Sequence, residues 1–137
     1  MKGTMMIYPM FALVLLTFFV GIRLGRARFA NARSGRVKGS YYRLMQGDVP
    51  PDSEVKLARN FSNLFEAPTL FYVAGAIVIA KNLATPAMLA LAWGYVALRL
   101  VHTVIHLGYN HPIHRFLAFL ASNALLLAMW GWLAYTL

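Results

Sequence analysis

Cysteine is absent from the 137-residue sequence. That excludes a disulfide framework, a thiolate metal site and a cysteine nucleophile. Acidic residues are almost as scarce, four Asp and Glu against 13 Lys and Arg, for a formal net charge of +9. Charged residues make up only 12% of the chain, about half the share usual in soluble domains. What fills the sequence instead is apolar side chain, 60% of all residues, with a mean hydropathy of +0.59. A water-soluble chain of this length could not bury so much apolar surface in one small core, and a disordered chain would be polar. The composition therefore excludes both classes and points to an integral membrane protein.

The cationic surplus would suit nucleic acid if it were spread over one face. It is not. Nine of the 13 cations lie between Arg23 and Arg59: Arg23, Arg26, Arg28, Arg33, Arg36, Lys38, Arg43, Lys56 and Arg59. This block directly follows a long apolar run, and no aromatic-interleaved basic face or zinc pattern accompanies it. A polybasic segment beside a membrane span faces the anionic cytoplasmic leaflet, where it can bind lipid head groups in a salt-dependent way. Nucleic acid is not an expected partner.

Four apolar stretches can cross a bilayer: Met5–Ile22, Ala67–Ala80, Asn82–Leu98 and Phe116–Leu137. The second needs a backward extension through Arg59–Glu66, and the third a forward one through His106. The whole chain, residues 1–137, reads as one all-α domain, a bundle of four transmembrane helices over approximately 5–24, 54–81, 84–107 and 113–136. Pro9 and Pro68 fall inside the first and second helices, where neighbouring helices can satisfy the freed carbonyls. Trp130, Trp132 and Tyr135 form an interfacial aromatic belt at the end of the fourth. Four spans put the Arg23–Lys56 loop and the Arg99–Arg115 connection on one side, and Lys2, Lys81 and both termini on the other. The positive-inside rule makes the loop side cytoplasmic. A cleaved signal peptide is disfavoured, because Arg23, Arg26 and Arg28 follow the first apolar run while only Lys2 precedes it.

Ionisable residues at membrane depth are costly and tend to face a bundle interior or a cavity. Arg59, Asn63 and Glu66 are spaced i, i+4, i+7 and share a helix face. They read either as an inter-helix ion pair with Asn63 as hydrogen-bonding glue or as a ligand site. Tyr95, Arg99, His102 and His106 form a second stripe, which is either the solvated end of a span or the opposite wall of the same site. Arg115 lies near a helix start, where a cation opposes the dipole unless an anion is present; the alternative is an interfacial arginine reaching for head groups. His102 and His106 have the i, i+4 spacing of paired metal ligands, but too few carboxylates and histidines accompany them, and no metal is expected. Arg23, Arg59, Arg99 and Arg115 converge with Glu66 on one depth. The surplus is cationic, so the implied ligand is a small polar anion carrying two carboxylates, which arginine forks recognise. A lipophilic second substrate can arrive through the bilayer.

At these residues the sequence resembles the family of membrane-associated proteins in eicosanoid and glutathione metabolism (MAPEG). The likeness rests on Arg59-x-x-x-Asn63-x-x-Glu66 followed by Pro68, on Arg99-Leu100-Val101-His102-Thr103 with His106-Leu107-Gly108, on Pro112-Ile113-His114-Arg115, and on Arg23-Leu24 at the end of the first helix. His106 and Phe119 stand where eicosanoid enzymes of the family carry tyrosines, and Ser62 replaces an arginine. The resemblance implies a homotrimer with glutathione held between neighbouring subunits. Arg23, Arg59, Asn63, Glu66 and His102 would hold it, with Arg99 and His106 beside them. Arg115 would stabilise the thiolate, since a fixed cation lowers a thiol's pKa and the thiolate is the nucleophile. The expectation is a glutathione-dependent transferase or peroxidase acting on lipophilic electrophiles, of bacterial inner-membrane type. The alternative is a non-catalytic lipid-binding or scaffold protein on the same fold.

Overall fold

The computed structural model describes residues 2–137, and these are helical almost throughout. A short 3-10 turn at Gly3–Met6 leads into α1 (Ile7–Arg33). A connecting segment carries the one-turn α2 (Tyr41–Leu44). Then come α3 (Asp52–Asn63), α4 (Ala67–Ala80), α5 (Pro86–Leu107) and α6 (Pro112–Thr136). Read as spans, Gly3–Arg33, Asp52–Ala80, Pro86–Leu107 and Pro112–Thr136 are each long and apolar enough to cross a membrane. The architecture is the expected four-helix membrane bundle.

Proline and threonine set the helix starts. Thr85 caps α5, its hydroxyl accepting from the Met88 amide at 3.1 Å. Pro86 and Pro112 occupy first-turn positions, where no intrahelical bond is lost. Pro9, expected inside a helix, also lies in the first turn of α1, so it leaves no carbonyl stranded.

Two expected boundaries differ. The first helix does not stop at residue 24 but continues to Arg33. Hydropathy falls at Arg23, yet nothing between there and Ser34 breaks a helix. Termination comes at Gly35, whose φ of +76° suits the residue after a helix cap. The second helix is not continuous over 54–81. It breaks between Asn63 and Ala67, where the backbone takes 3-10 bonds, Phe65 N to Ser62 O and Glu66 N to Asn63 O. Pro68 is the cause: it lacks an N–H, and its ring collides with the carbonyl four residues back, Leu64. Thr69 repairs part of the loss. Its amide goes to Glu66 O, while its hydroxyl takes Phe65 O at 2.6 Å.

The core runs along the bundle axis: Leu13 and Val20 of α1, Phe71 and Val78 of α4, Met88, Ala92 and Tyr95 of α5, Met129 and Leu133 of α6. Tyr95 stacks on Phe71 at 4.7 Å. Missing side chains allow close helix contact, as small residues do in membranes. A Cβ on Gly94 would meet Leu125 at 2.9 Å, and one on Gly75 would meet the Met10 sulfur at 2.5 Å. The outer faces keep large apolar side chains exposed, among them Phe11, Leu15, Phe18 and Phe19 of α1 and Leu120 and Leu127 of α6, as a lipid-facing surface requires.

The connecting segment is pinned to the bundle at Glu54. This carboxylate is only 2% exposed. Its Oε1 accepts from the Tyr42 hydroxyl at 2.5 Å and from Asn31 Nδ2 at 3.0 Å. Burial, and then the bond to Glu54, push the Tyr42 hydroxyl up from 10.0 to about 12. Its contribution is therefore complete below pH 10.0 and is lost as pH rises through about 12. Tyr42→Phe leaves the buried carboxylate one donor short and is expected to cost about 1–2 kcal/mol. A thermal melt in detergent reads this directly, and the gap between the two proteins should close near pH 12.

Candidate functional site

Two polar seams cross the bundle between α3 and α5. Asn60 of α3 and Thr103 of α5 are buried, and His106 of α5 is 5% exposed. The Thr103 hydroxyl donates to Asn60 Oδ1 at 3.2 Å, which orients the amide. Asn60 Nδ2 then faces His106 Nδ1 at 3.2 Å and donates to it. With Nδ1 accepting, the neutral ring carries its proton on Nε2. One asparagine thus selects the His106 tautomer.

The second seam lies beside Asn63. Arg99 is fully buried, and its Nη2 donates to Asn63 Oδ1 at 2.7 Å. Its Nε and Nη1, the Tyr95 hydroxyl and His102 Nδ1 are buried without a partner. A guanidinium with one bond and two unpaired nitrogens is costly inside a bundle. What it does for the site is hold the Asn63 carbonyl, leaving that residue's NH2 as its outward donor.

In front of these seams opens a cleft of about 310 Å³, lined by Arg59, Ser62, Asn63, Glu66, His102, His106 and Arg115. A smaller recess of about 160 Å³ shares Arg59, His106 and Arg115 and adds Asp52, Lys56 and Asn110. Together they reach the lower range of small-molecule sites, about 300–1,000 Å³. The helix break matters here: Glu66 sits in it rather than on a continuous helix, and still lines the cleft beside Arg59 and Asn63. Arg115, in the first turn of α6, is half-buried and held by Asn110, its Nη1 donating to Asn110 Oδ1 at 2.9 Å. Asn110 can serve because it adopts a positive φ of 51° in the tight turn after α5. Lys56 Nζ reaches across to Gly108 O at 3.3 Å.

Eight residues stand out in the sequence as candidate ligand holders, and six of them line this cleft: Arg59, Asn63, Glu66, His102, His106 and Arg115. Arg99 lies behind it and meets it only through Asn63. Arg23 is elsewhere, exposed on α1 with its guanidinium 5.8 Å from the Phe19 ring centre. Phe119 comes close, its ring 6.1 Å from His102. Sequence reasoning missed Asn60 and Asn110, which orient His106 and Arg115. The available signal was Asn60's polarity inside a helix that must bury a face. Among the described residues no three His, Cys, Asp or Glu side chains cluster as metal ligands do.

The cleft's chemistry is lopsided. Arg59 and Arg115 face Glu66 in the cleft and Asp52 in the adjoining recess, where Lys56 adds a third cation, with Arg99 buried behind. This suits an anion that also carries one cationic group. A separate apolar groove of about 530 Å³ lies between α1 and the broken span of α3 and α4, bounded by Phe18, Ile22, Phe61, Phe65 and Tyr72 among others. It shares no residue with the polar cleft.

Compared with known proteins, the chain matches the model of the MAPEG family over residues 6–135, nearly its whole length. No curated protein and no solved structure matches it.

Proposed function

Because the chain belongs to the MAPEG family, whose members are mostly glutathione-dependent transferases and peroxidases or eicosanoid enzymes, we propose that it is a glutathione-dependent membrane transferase acting on lipophilic electrophiles. The observation that carries this reading is the cleft's charge pattern. Glutathione has two carboxylates, one ammonium group and a thiol. Arg59 and the Asn63 amide suit a carboxylate, and Glu66 suits the ammonium. The His106 Nε2–H is a further donor whose tautomer Asn60 has already set. Arg115 suits the thiol: a fixed guanidinium lowers a thiol pKa from about 8.5 toward neutrality. The thiolate then attacks the electrophile, a carbon–sulfur bond forms, and the leaving group departs with its electron pair.

In this reading Arg23 serves a neighbouring subunit. It is exposed on α1, away from its own chain's cleft, and a homotrimer with glutathione between protomers would bring it to the next one. The Arg23–Lys56 loop faces the cytoplasm, with both termini on the other side of what is a bacterial inner membrane. Electrophiles enter from the lipid, guided by apolar walls such as the α1 groove.

Glutathione should raise the thermal midpoint of the purified protein. At a hundredfold excess over its dissociation constant a ligand adds about 2.7 kcal/mol, a shift of several degrees for a chain of this size. Glu66→Gln, which keeps the shape but not the charge, should cut the shift by more than half. A flat response in the parent protein would favour a lipid-binding or scaffold role, to which the buried Asn60–Thr103–His106 seam would contribute helix pairing only.

A further inference from the structure

The far end of α1 carries a second cationic recess that plays no part in the cleft. Gly25, Arg28, Phe29 and Ala32 lie at i, i+3, i+4 and i+7, one face of the helix. Tyr42 and Met45 of the connecting segment close over them, leaving a notch of about 330 Å³. The space over Gly25 is open, since a Cβ there would meet nothing within 4 Å, and a larger side chain would project into it. The Tyr42 wall is fixed by its bond to the buried Glu54.

Within this notch the Arg28 Nε is buried and has no hydrogen-bond partner. A charged donor taken out of water and left unpaired is unfavourable unless an acceptor comes to it. Glu54, the acid that shares this corner, already has its Oε1 occupied by Tyr42 and Asn31. Arg28 as a whole is only half-buried, so its guanidinium can meet an acceptor from outside the chain.

Depth and neighbours say what it is. At 1.5 Å per residue, about 20 residues cross the ~30 Å hydrocarbon layer. Counted from Gly3, that distance ends near Ile22. Gly25 and Arg28 then fall roughly 5–9 Å further on, in the layer of lipid phosphates. Ile22 and Phe29 stay exposed on the same α1 face, and Leu44 and Met45 beside the notch are exposed as well. Apolar side chains flanking a half-buried cation suit an amphiphile better than a soluble anion. The cations Arg26, Arg33 and Arg43 nearby in sequence are exposed and raise the local concentration of anionic lipid.

We infer that this notch seats the phosphodiester head group of one anionic phospholipid, with the half-buried Arg28 guanidinium donating to a phosphate oxygen and Phe29 and Met45 lying along the start of an acyl chain. The site is independent of the glutathione reading. Occupied, it would tie the Arg23–Lys56 loop to the bilayer surface at one point rather than through diffuse charge.

Native mass spectrometry of the full chain in neutral detergent tests this, with phosphatidylglycerol, phosphatidylcholine and inorganic phosphate as three arms. The expected result is one tight phosphatidylglycerol adduct per chain, weaker for phosphatidylcholine and not displaced by millimolar phosphate. Arg28→Gln should weaken that adduct about tenfold, the worth of one charge-assisted hydrogen bond. Gly25→Leu should abolish it by filling the notch, while Arg26→Gln should weaken it far less than Arg28→Gln does. Equal losses in Arg28→Gln and Arg26→Gln would mean diffuse attraction, and an adduct that survives Gly25→Leu would lie elsewhere. Displacement by inorganic phosphate would mean a soluble anion site. Each of these three results overturns the proposal.

Discussion

Arg115→Ala is expected to lower glutathione conjugation of an aromatic halide by about a hundredfold or more, the usual penalty for removing a preorganised group that stabilises developing or fixed negative charge. Arg115 is suited to that role by its anchoring. Its Nη1 is tied to Asn110 at 2.9 Å, so the guanidinium need not be ordered at the moment of reaction. The loss should fall on kcat more than on apparent glutathione affinity, because the carboxylates and the ammonium keep Arg59 and Glu66. The pH–rate profile should move as well. Without the cation the thiol titrates nearer its free value of about 8.5, so the variant should regain activity as pH rises, and Arg115→Lys should lie between the two. Arg115 is half-buried in the first turn of α6, and its truncation should change the melting free energy by only about 0.5 kcal/mol. A variant that melts early would signal a structural role instead.

Asn60→Leu carries the second large effect, this one on the fold as well as the site. Leucine is near asparagine in size but can neither accept from Thr103 nor donate to His106. Thr103 can turn its hydroxyl to a carbonyl of its own helix. His106 Nδ1 has no such recourse and would be stranded in the interior. The expected cost is about 2 kcal/mol, read as a fall in thermal midpoint. Glutathione affinity should fall with it, because the ring is then free to carry its proton on either nitrogen. An Asn60→Leu variant as stable as the parent, with unchanged affinity, would mean that the seam neither supports the bundle nor sets the tautomer.

Much of the bundle is readable from hydropathy alone, because a lipid-facing helix must be apolar over some 20 residues whatever its neighbours do, about the thickness of the hydrocarbon layer. Arg59, Asn63, His102 and His106 meet at one cleft for an equally simple reason, since helical spacing stacks them. Where the reading fails, it fails for local causes. Hydropathy ends α1 at Arg23, but backbone propensity carries it to Gly35, and the two properties are unrelated there. Pro68 reads as tolerable inside a span, yet its clash with the Leu64 carbonyl breaks the helix and leaves Glu66 in the gap. Arg99 belongs to the same stripe as His102, but a difference of three residues turns it inward onto Asn63. Asn60 sits next to Arg59 in sequence and about a hundred degrees away around the helix, so its partners on α5 become visible only once the two helices are paired.

The proposed function depends on one polar cleft, bounded by Arg59, Glu66 and Arg115, holding a thiol tripeptide. The most direct test is a structure of the protein determined with saturating glutathione. The expected result is the tripeptide in that cleft, its ammonium group on Glu66, a carboxylate on Arg59 and its sulfur against the Arg115 guanidinium. A cleft without glutathione at saturation, or a sulfur placed away from Arg115, would contradict it.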